Sequence, residues 1–106
     1  MLTQKSAIEK VRRFAKQVND SGVHLDRVVL FGSYAKNKQH KWSDIDVAMV
    51  SDKFEGYGYY DIDLFGKILI QKPFFIIQPR TYNTRDFHPD KDPFVEEILR
   101  NGIEIS

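Results

Sequence analysis

The sequence predicts a single α/β or α+β domain, residues 1–106, with a mixed sheet of three or four strands and helices packed mainly on one face. Two observations predict this fold class. Apolar residues follow the order helix, strand, strand, helix, strand, helix, and a last alternating stretch can add an edge strand. The length of 106 residues suits one modest core, and the chain shows no repeats, low-complexity tract or linker.

The first half of the chain predicts one long helix followed by two strands. Apolar residues recur at helical spacing over about residues 4–20, starting at Ser6 or Thr3 and ending at Ser21-Gly22. The apolar run 27–31 is rich in β-branched residues and too short for a helix, so we expect a buried strand. A second strand is expected over 44–51, after a polar stretch.

The second half predicts shorter elements. Residues 61–71 carry an apolar stripe at helical spacing, and Lys72-Pro73 ends it. We then expect a strand over 74–77, a polar loop over 81–92, a short helix after Asp92-Pro93, and an edge strand over 103–105.

The composition excludes several classes of function. A net charge of +1 supplies no strong field for DNA or an anionic membrane, so nucleic acid is not an expected partner. Without cysteine there is no disulfide scaffold, thiol nucleophile or cysteine metal site. No apolar run approaches the roughly 20 residues that span a bilayer, and the polar first residues do not resemble a signal peptide. The expected compartment is the cytoplasm.

Asp44 and Asp46 are the first candidate site residues. On a strand they point to the same face, with Cα atoms roughly 6.5 to 7 Å apart, because side chains alternate with period two. Two neighbouring carboxylates repel each other, and a hard divalent cation such as Mg²⁺ removes that penalty. The pair suits phosphoryl or nucleotidyl transfer, while its simpler alternative is an exposed edge-strand pair.

Gly32 and Ser33 are the second pair of candidates. A strand that runs into Gly-Ser and a short helical stretch presents free backbone N–H groups, which favour an anion such as a triphosphate. Gly32 permits close backbone approach, and the Ser33 hydroxyl can donate to a phosphate oxygen or cap the helix. Lys36 adds positive charge nearby, as do Lys38 and Lys41.

The segment Gly32-Ser33-Tyr34-Ala35-Lys36-Asn37, followed by Ser43-Asp44-Ile45-Asp46, resembles the signature of the DNA polymerase β-type nucleotidyltransferase superfamily. In that pattern a Gly-Ser turn, a small residue and a Gly precede Asp-x-Asp on the next strand. The short chain is similar to the minimal nucleotidyltransferase (MNT) branch. The family's Gly is Asn37 here, a mild change because Asn tolerates left-handed backbone angles.

The resemblance implies transfer of a nucleoside monophosphate, most simply AMP from ATP, with Mg²⁺ as the metal. It implies that Asp44 and Asp46 hold the metals and act in catalysis, and that Gly32, Ser33, Lys36 and Ser43 contact the nucleotide. Many minimal members are antitoxins that modify a helical HEPN ribonuclease toxin, so a HEPN-type partner is expected.

A second departure concerns the third carboxylate that the family places on a later strand, near residues 74–78. No Asp or Glu occurs between Asp63 and Asp86. Gln78 is a weak substitute there, and Asp61 or Asp63 could approach from the second helix. This gap favours an alternative function, in which a catalytically weakened nucleotidyltransferase fold neutralises a partner by binding alone.

Two weaker interpretations remain open. The chain could supply the nucleotidyl half of a small-molecule transferase, although no second domain is present to hold the acceptor. A polymerase role fits the low net charge poorly. Tyr57, Tyr59 and Tyr60 could stack on a base, but packing of the loop onto the second helix is the simpler expectation, and Arg80 could reach a triphosphate.

Overall fold

The computed structural model describes residues 2–105. It contains four α-helices and four β-strands in this part of the chain. In chain order the elements are α1 (Gln4–Asp20), β1 (Arg27–Phe31), β2 (Ile45–Val50), α2 (Gly58–Asp61), α3 (Gly66–Leu69), β3 (Ile77–Tyr82), α4 (Phe94–Asn101) and β4 (Ile103–Glu104). Short 3₁₀ turns cover Ile62–Leu64 and Thr84–Asp86. Among residues 2–105, no helix is both long and apolar enough to cross a membrane.

The four strands form one mixed sheet in the order β3-β2-β1-β4, which confirms the predicted fold class. β1 pairs antiparallel with β2 and with β4, whereas β2 and β3 run parallel. In this register Phe31 lies opposite Asp46, so the end of β1 meets the start of β2. The turn that follows β1 is thereby held beside the first residues of β2.

The sheet buries a cluster of apolar side chains on each face. The larger cluster joins α1 and α3 to alternate residues of β1 and β2, with Phe14 packed against Phe74 at 5.5 Å between ring centroids. The smaller cluster joins the opposite face to α4 through Val95 and Ile98. The helices on the first face confirm the expected arrangement, and α4 alone contributes an apolar stripe to the second.

The predicted helix over 61–71 is wrong as a continuous element. It is divided into α2, a 3₁₀ turn and α3, and the helical path ends at Phe65 (φ −142°, ψ 2°). Phe65 turns into the core against Phe14 and Phe54. The following Gly66 lowers helix propensity further, so a good apolar contact outweighs helix continuity.

The third strand also lies later than predicted. Residues 74–76 form a turn, and β3 runs from Ile77 through Pro79 to Tyr82. Proline is tolerated because β3 is an edge strand, where a missing N–H on the outer side removes no ladder hydrogen bond. The predicted loop therefore begins at Asn83. This shift moves Gln78 and Arg80 into the sheet.

Candidate active site

Asp46 stands at the start of β2 with a half-buried carboxylate, and Asp44 lies just before the strand and is exposed. Burial raises the pKa of the Asp46 carboxyl above its ordinary value of 3.8, and the charge of Asp44 raises it further. Within residues 2–105, neither carboxylate forms an ion pair with a basic side chain. The pair therefore concentrates uncompensated negative charge.

The Gly-Ser turn touches this pair directly. Gly32 has a left-handed backbone (φ +77°), and a Cβ there would overlap Asp46 Oδ2 and lie 3.2 Å from Asp46 Cγ. Within the described chain, the Ser33 N–H and hydroxyl donate no hydrogen bond, so they are available to an anion. Lys38 N–H donates to Ser33 O at 2.8 Å, closing the turn with Asn37 at φ 55°. Asn37 thus has the left-handed backbone that asparagine tolerates better than most residues.

The other two nucleotide-contact candidates have partners of their own. Lys36 Nζ lies 3.3 Å from Glu97 Oε1 on α4, and both side chains remain about two-fifths exposed. Such an exposed pair is weak and can open to a ligand. The Ser43 hydroxyl accepts a hydrogen bond from the His40 N–H at 2.9 Å. Ser43 therefore supports the loop before Asp44 rather than facing open space.

The position beside Asp46 on β3 carries Gln78. In the parallel register Gln78 lies directly opposite Asp46, and its side chain is exposed. Neither Asp61 nor Asp63 lines a cavity with Asp46. In the part of the chain that the structure describes, no three acidic, histidine or cysteine side chains are grouped to hold a metal ion. Asp44 and Asp46 supply two neighbouring carboxylates, the kind of ligand that Mg²⁺ prefers together with waters and substrate phosphates.

Two depressions of different size flank Asp46. The smaller, about 190 Å³, also contains Gly32 and Lys36. The larger, about 760 Å³, extends over β3. Phe31 and Phe94 line both, with ring centroids 5.6 Å apart, and so mark the ridge between them. Asp46 is thus accessible from a phosphate-sized recess on one side and an open cleft on the other.

Three residues of the cleft lining, Arg80, Tyr82 and Asp92, form an ionic network that the sequence did not reveal. Arg80 Nε donates to Tyr82 Oη at 2.7 Å, and Tyr82 Oη donates to Asp92 Oδ2 at 3.2 Å. The Arg80 guanidinium also lies 4.9 Å from the centroid of the Phe94 ring. The strand alternation of Gln78, Arg80 and Tyr82 would have indicated the Arg80–Tyr82 pair had β3 been placed correctly.

Tyr57 and Tyr59 form part of the cleft lining and are 68% and 87% exposed. Tyr60 packs edge-on against both rings but does not line the cleft. The expected packing of these rings onto the second helix is therefore not observed. Two of the three rings face the cleft instead.

Buried Asp61 fixes the segment that carries the tyrosines. Its carboxylate accepts hydrogen bonds from Glu55 N–H (2.8 Å), Gly56 N–H (3.0 Å) and the Thr81 hydroxyl (2.7 Å). Thr81 belongs to β3, so Asp61 ties the loop to the sheet edge. Its function here is structural.

We expect Asp61→Ala to destabilise the fold by about 3 kcal/mol, because two backbone donors and a buried hydroxyl lose their acceptor. Urea unfolding followed by circular dichroism measures this loss. Asp63→Ala is the matched control, because Asp63 is exposed two residues away. Equal stabilities of the two variants would contradict the structural function of Asp61.

Comparisons with known proteins identify a family and a similar fold. The sequence model of the nucleotidyltransferase domain matches residues 8–103, nearly the whole chain. A solved structure from Sulfolobus solfataricus, provisionally assigned as a nucleotidyltransferase, is similar with a TM-score of 0.65 and 16% identity. That match covers 95% of this chain and 80% of the other, and at this identity it concerns the fold alone. No curated protein shows significant similarity to the sequence. With a family match over residues 8–103, this chain belongs to the nucleotidyltransferase domain family.

Proposed function

We propose that this protein transfers a nucleoside monophosphate, AMP from ATP, to a hydroxyl group of a protein acceptor in a Mg²⁺-dependent reaction. The observation that carries the proposal is the contact between Gly32 and the Asp46 carboxylate. It brings the Gly-Ser turn, whose Ser33 N–H and hydroxyl donate no hydrogen bond in the described chain, against a carboxylate that has no basic partner there. A metal–triphosphate complex fits this site, because its phosphates would accept hydrogen bonds from the Ser33 donors and its cation would bind the carboxylates. Members of this family generally use a nucleoside triphosphate and a divalent cation.

Each part of the site has a defined task in this reaction. Asp44 and Asp46 would hold Mg²⁺, which when bound neutralises charge on the α-phosphate and the leaving group. The Ser33 N–H and hydroxyl would orient the β- and γ-phosphates, and Lys36 would add charge there once released from Glu97. The acceptor oxygen bonds to the α-phosphorus as the bond to the β-phosphate oxygen breaks. Pyrophosphate leaves with the electron pair, and water takes up the hydroxyl proton.

For the acceptor we propose a helical ribonuclease toxin of the HEPN type, so that the protein acts as a cytoplasmic antitoxin. The support is the sequence resemblance together with the exposed aromatic rings at the site's edge. Trp42 is 79% and Phe75 67% exposed. They precede β2 and β3, whose amino-terminal ends lie side by side because the strands are parallel. Exposed rings beside an open site favour a protein that covers them.

The test uses ATP labelled at either the α- or the γ-phosphate, with the HEPN-type protein as acceptor and Mg²⁺ present. We expect label from the α-phosphate on the acceptor and label from the γ-phosphate in pyrophosphate. Transfer of the γ-label alone would indicate a kinase instead. No transfer of either label would contradict the proposed reaction.

A second candidate function is neutralisation of the partner by binding alone. The observation that favours it is Gln78, a neutral side chain opposite Asp46 where the family carries a third carboxylate. This function predicts that Asp44→Asn leaves both the complex and the neutralisation unchanged. Dependence of neutralisation on ATP and on Asp44 would exclude it.

A further inference from the structure

We propose that the 760 Å³ cleft receives the nucleoside half of the triphosphate and that Tyr57 and Tyr59 stack on its base. This inference rests on the proposed function, because it assumes that the triphosphate lies against Gly32 and Ser33. It goes further by assigning residues outside the sequence signature to nucleotide binding.

The sizes of the two depressions decide which one holds the nucleoside. A triphosphate bound at Gly32 and Ser33 brings its α-phosphate to Asp46, and the nucleoside must continue from there. The recess with Lys36 has about 190 Å³ and already lies on the phosphate side. The cleft over β3 has about 760 Å³, within the range of small-ligand sites. It is the one of the two with room for a nucleoside.

The exposed rings indicate what the cleft binds. Tyr57 and Tyr59 line it, yet 68% and 87% of their surfaces face solvent. Each base has a flat π-face, so aromatic rings bind nucleobases by stacking with little preference among them. Tyr60 lies edge-on to Tyr59, with centroids 5.5 Å apart, and supports that ring from behind.

Other residues of the cleft lining offer polar groups for the edges of a nucleoside. Arg80 provides N–H donors and is held over the Phe94 ring at 4.9 Å. The Asp92 carboxylate already accepts from the Phe94 N–H and Tyr82 Oη, and each oxygen keeps acceptor capacity. Exposed aromatic rings and a few polar groups lining one cleft are the combination expected of a small-molecule site.

The cleft is also held in shape before any ligand arrives. Asp61 accepts hydrogen bonds from the loop before Tyr57 and from Thr81 on β3, so the segment that carries the rings is tied to β3. Fewer residues of the protein then lose conformational freedom when the ligand binds, so less binding free energy is lost.

The experiment compares ATP, CTP and inorganic triphosphate, each with Mg²⁺, by calorimetric titration. We expect Tyr59→Ala and Tyr57→Ala each to weaken ATP and CTP by about tenfold, the range of base stacking, and to leave inorganic triphosphate unchanged. Tyr59→Phe keeps the ring and should bind ATP like the original protein. Phe75→Ala removes a ring as exposed as Tyr57 but outside the cleft lining, and should leave the affinities for ATP, CTP and inorganic triphosphate unchanged.

Two failures are distinguishable. If ATP and inorganic triphosphate both bind but Tyr57→Ala and Tyr59→Ala leave the affinity for ATP unchanged, this inference is overturned and the proposed function stands. The cleft would then serve the acceptor. If neither ligand binds the original protein, the proposed function fails and this inference fails with it. Circular dichroism checks that the variants are folded. We expect them to fold, because the substituted side chains are exposed.

Discussion

Asp46→Asn is expected to lower nucleotidyl transfer by at least 100-fold while making the protein more stable at neutral pH. The loss of transfer follows from replacing a charged metal ligand by a neutral amide of the same shape. The gain in stability follows because Asp46 is half-buried beside Asp44 and has no basic partner in the described chain. Function and stability thus oppose each other at this residue. Initial transfer rates and urea unfolding midpoints measure the two effects.

The gain in stability should depend on pH in a defined direction. The pKa of Asp46 is raised in the folded protein, so the unfolded chain ionises first, near the ordinary value of 3.8. Ionisation then costs stability as the pH rises from about 3.8 through the folded pKa, and the full penalty remains above it. The difference between Asp46→Asn and the original protein should therefore disappear below that range. A stability difference between the two proteins that does not change with pH would show that it does not come from the ionised Asp46 carboxylate.

Gly32→Ala is the second change with a large expected effect. The left-handed backbone at φ +77° costs a non-glycine residue about 1 to 2 kcal/mol. The new Cβ would also overlap Asp46 Oδ2, so either the turn or the carboxylate must move. If Asp46 keeps its position and the turn must change, we expect the free energy of unfolding to fall by about 2 to 4 kcal/mol. If Asp46 moves instead, only the backbone cost of about 1 to 2 kcal/mol remains, but the carboxylate pair is displaced. Transfer should fall by about 100-fold or more in both cases.

Gly22→Ala separates backbone strain from overlap. Gly22 also has a positive φ, +108°, but a Cβ there would meet nothing within 4 Å. This control should lose stability through strain alone and keep its transfer rate. Equal transfer rates in Gly22→Ala and Gly32→Ala would show that the contact with Asp46 has no importance for the reaction.

The elements predicted best from the sequence are those whose periodicity is strong and local. The helix Gln4–Asp20 and the strand Arg27–Phe31 match their predicted bounds, and Ile45–Val50 differs by one residue at each end. The contact between Gly32 and Asp46 also follows from the order of elements, because residues 32–44 connect the end of one strand to the start of its antiparallel neighbour. In the folded protein, Phe31 at the end of β1 pairs with Asp46 near the start of β2.

The features missed by the sequence depend on long-range contacts. Pro79 indicates a strand end locally, yet an edge position makes it compatible with β3. Asp61 looks like an exposed helix residue, but Thr81, twenty residues later, donates to it in the interior. Strand alternation relates Arg80 to Tyr82, but Asp92 joins them from a later loop, so the strand pattern alone does not predict the complete network.

The measurement that tests the central claim most directly is calorimetric titration of ATP into the protein with and without Mg²⁺, repeated with Asp44→Asn. Asp44 is exposed, so this variant should fold like the original protein. We expect ATP to bind with Mg²⁺, to bind far more weakly without it, and to lose the dependence on Mg²⁺ in Asp44→Asn. If ATP binds equally well with and without Mg²⁺, and equally well to Asp44→Asn, a site built from the Gly-Ser turn and the carboxylate pair is contradicted.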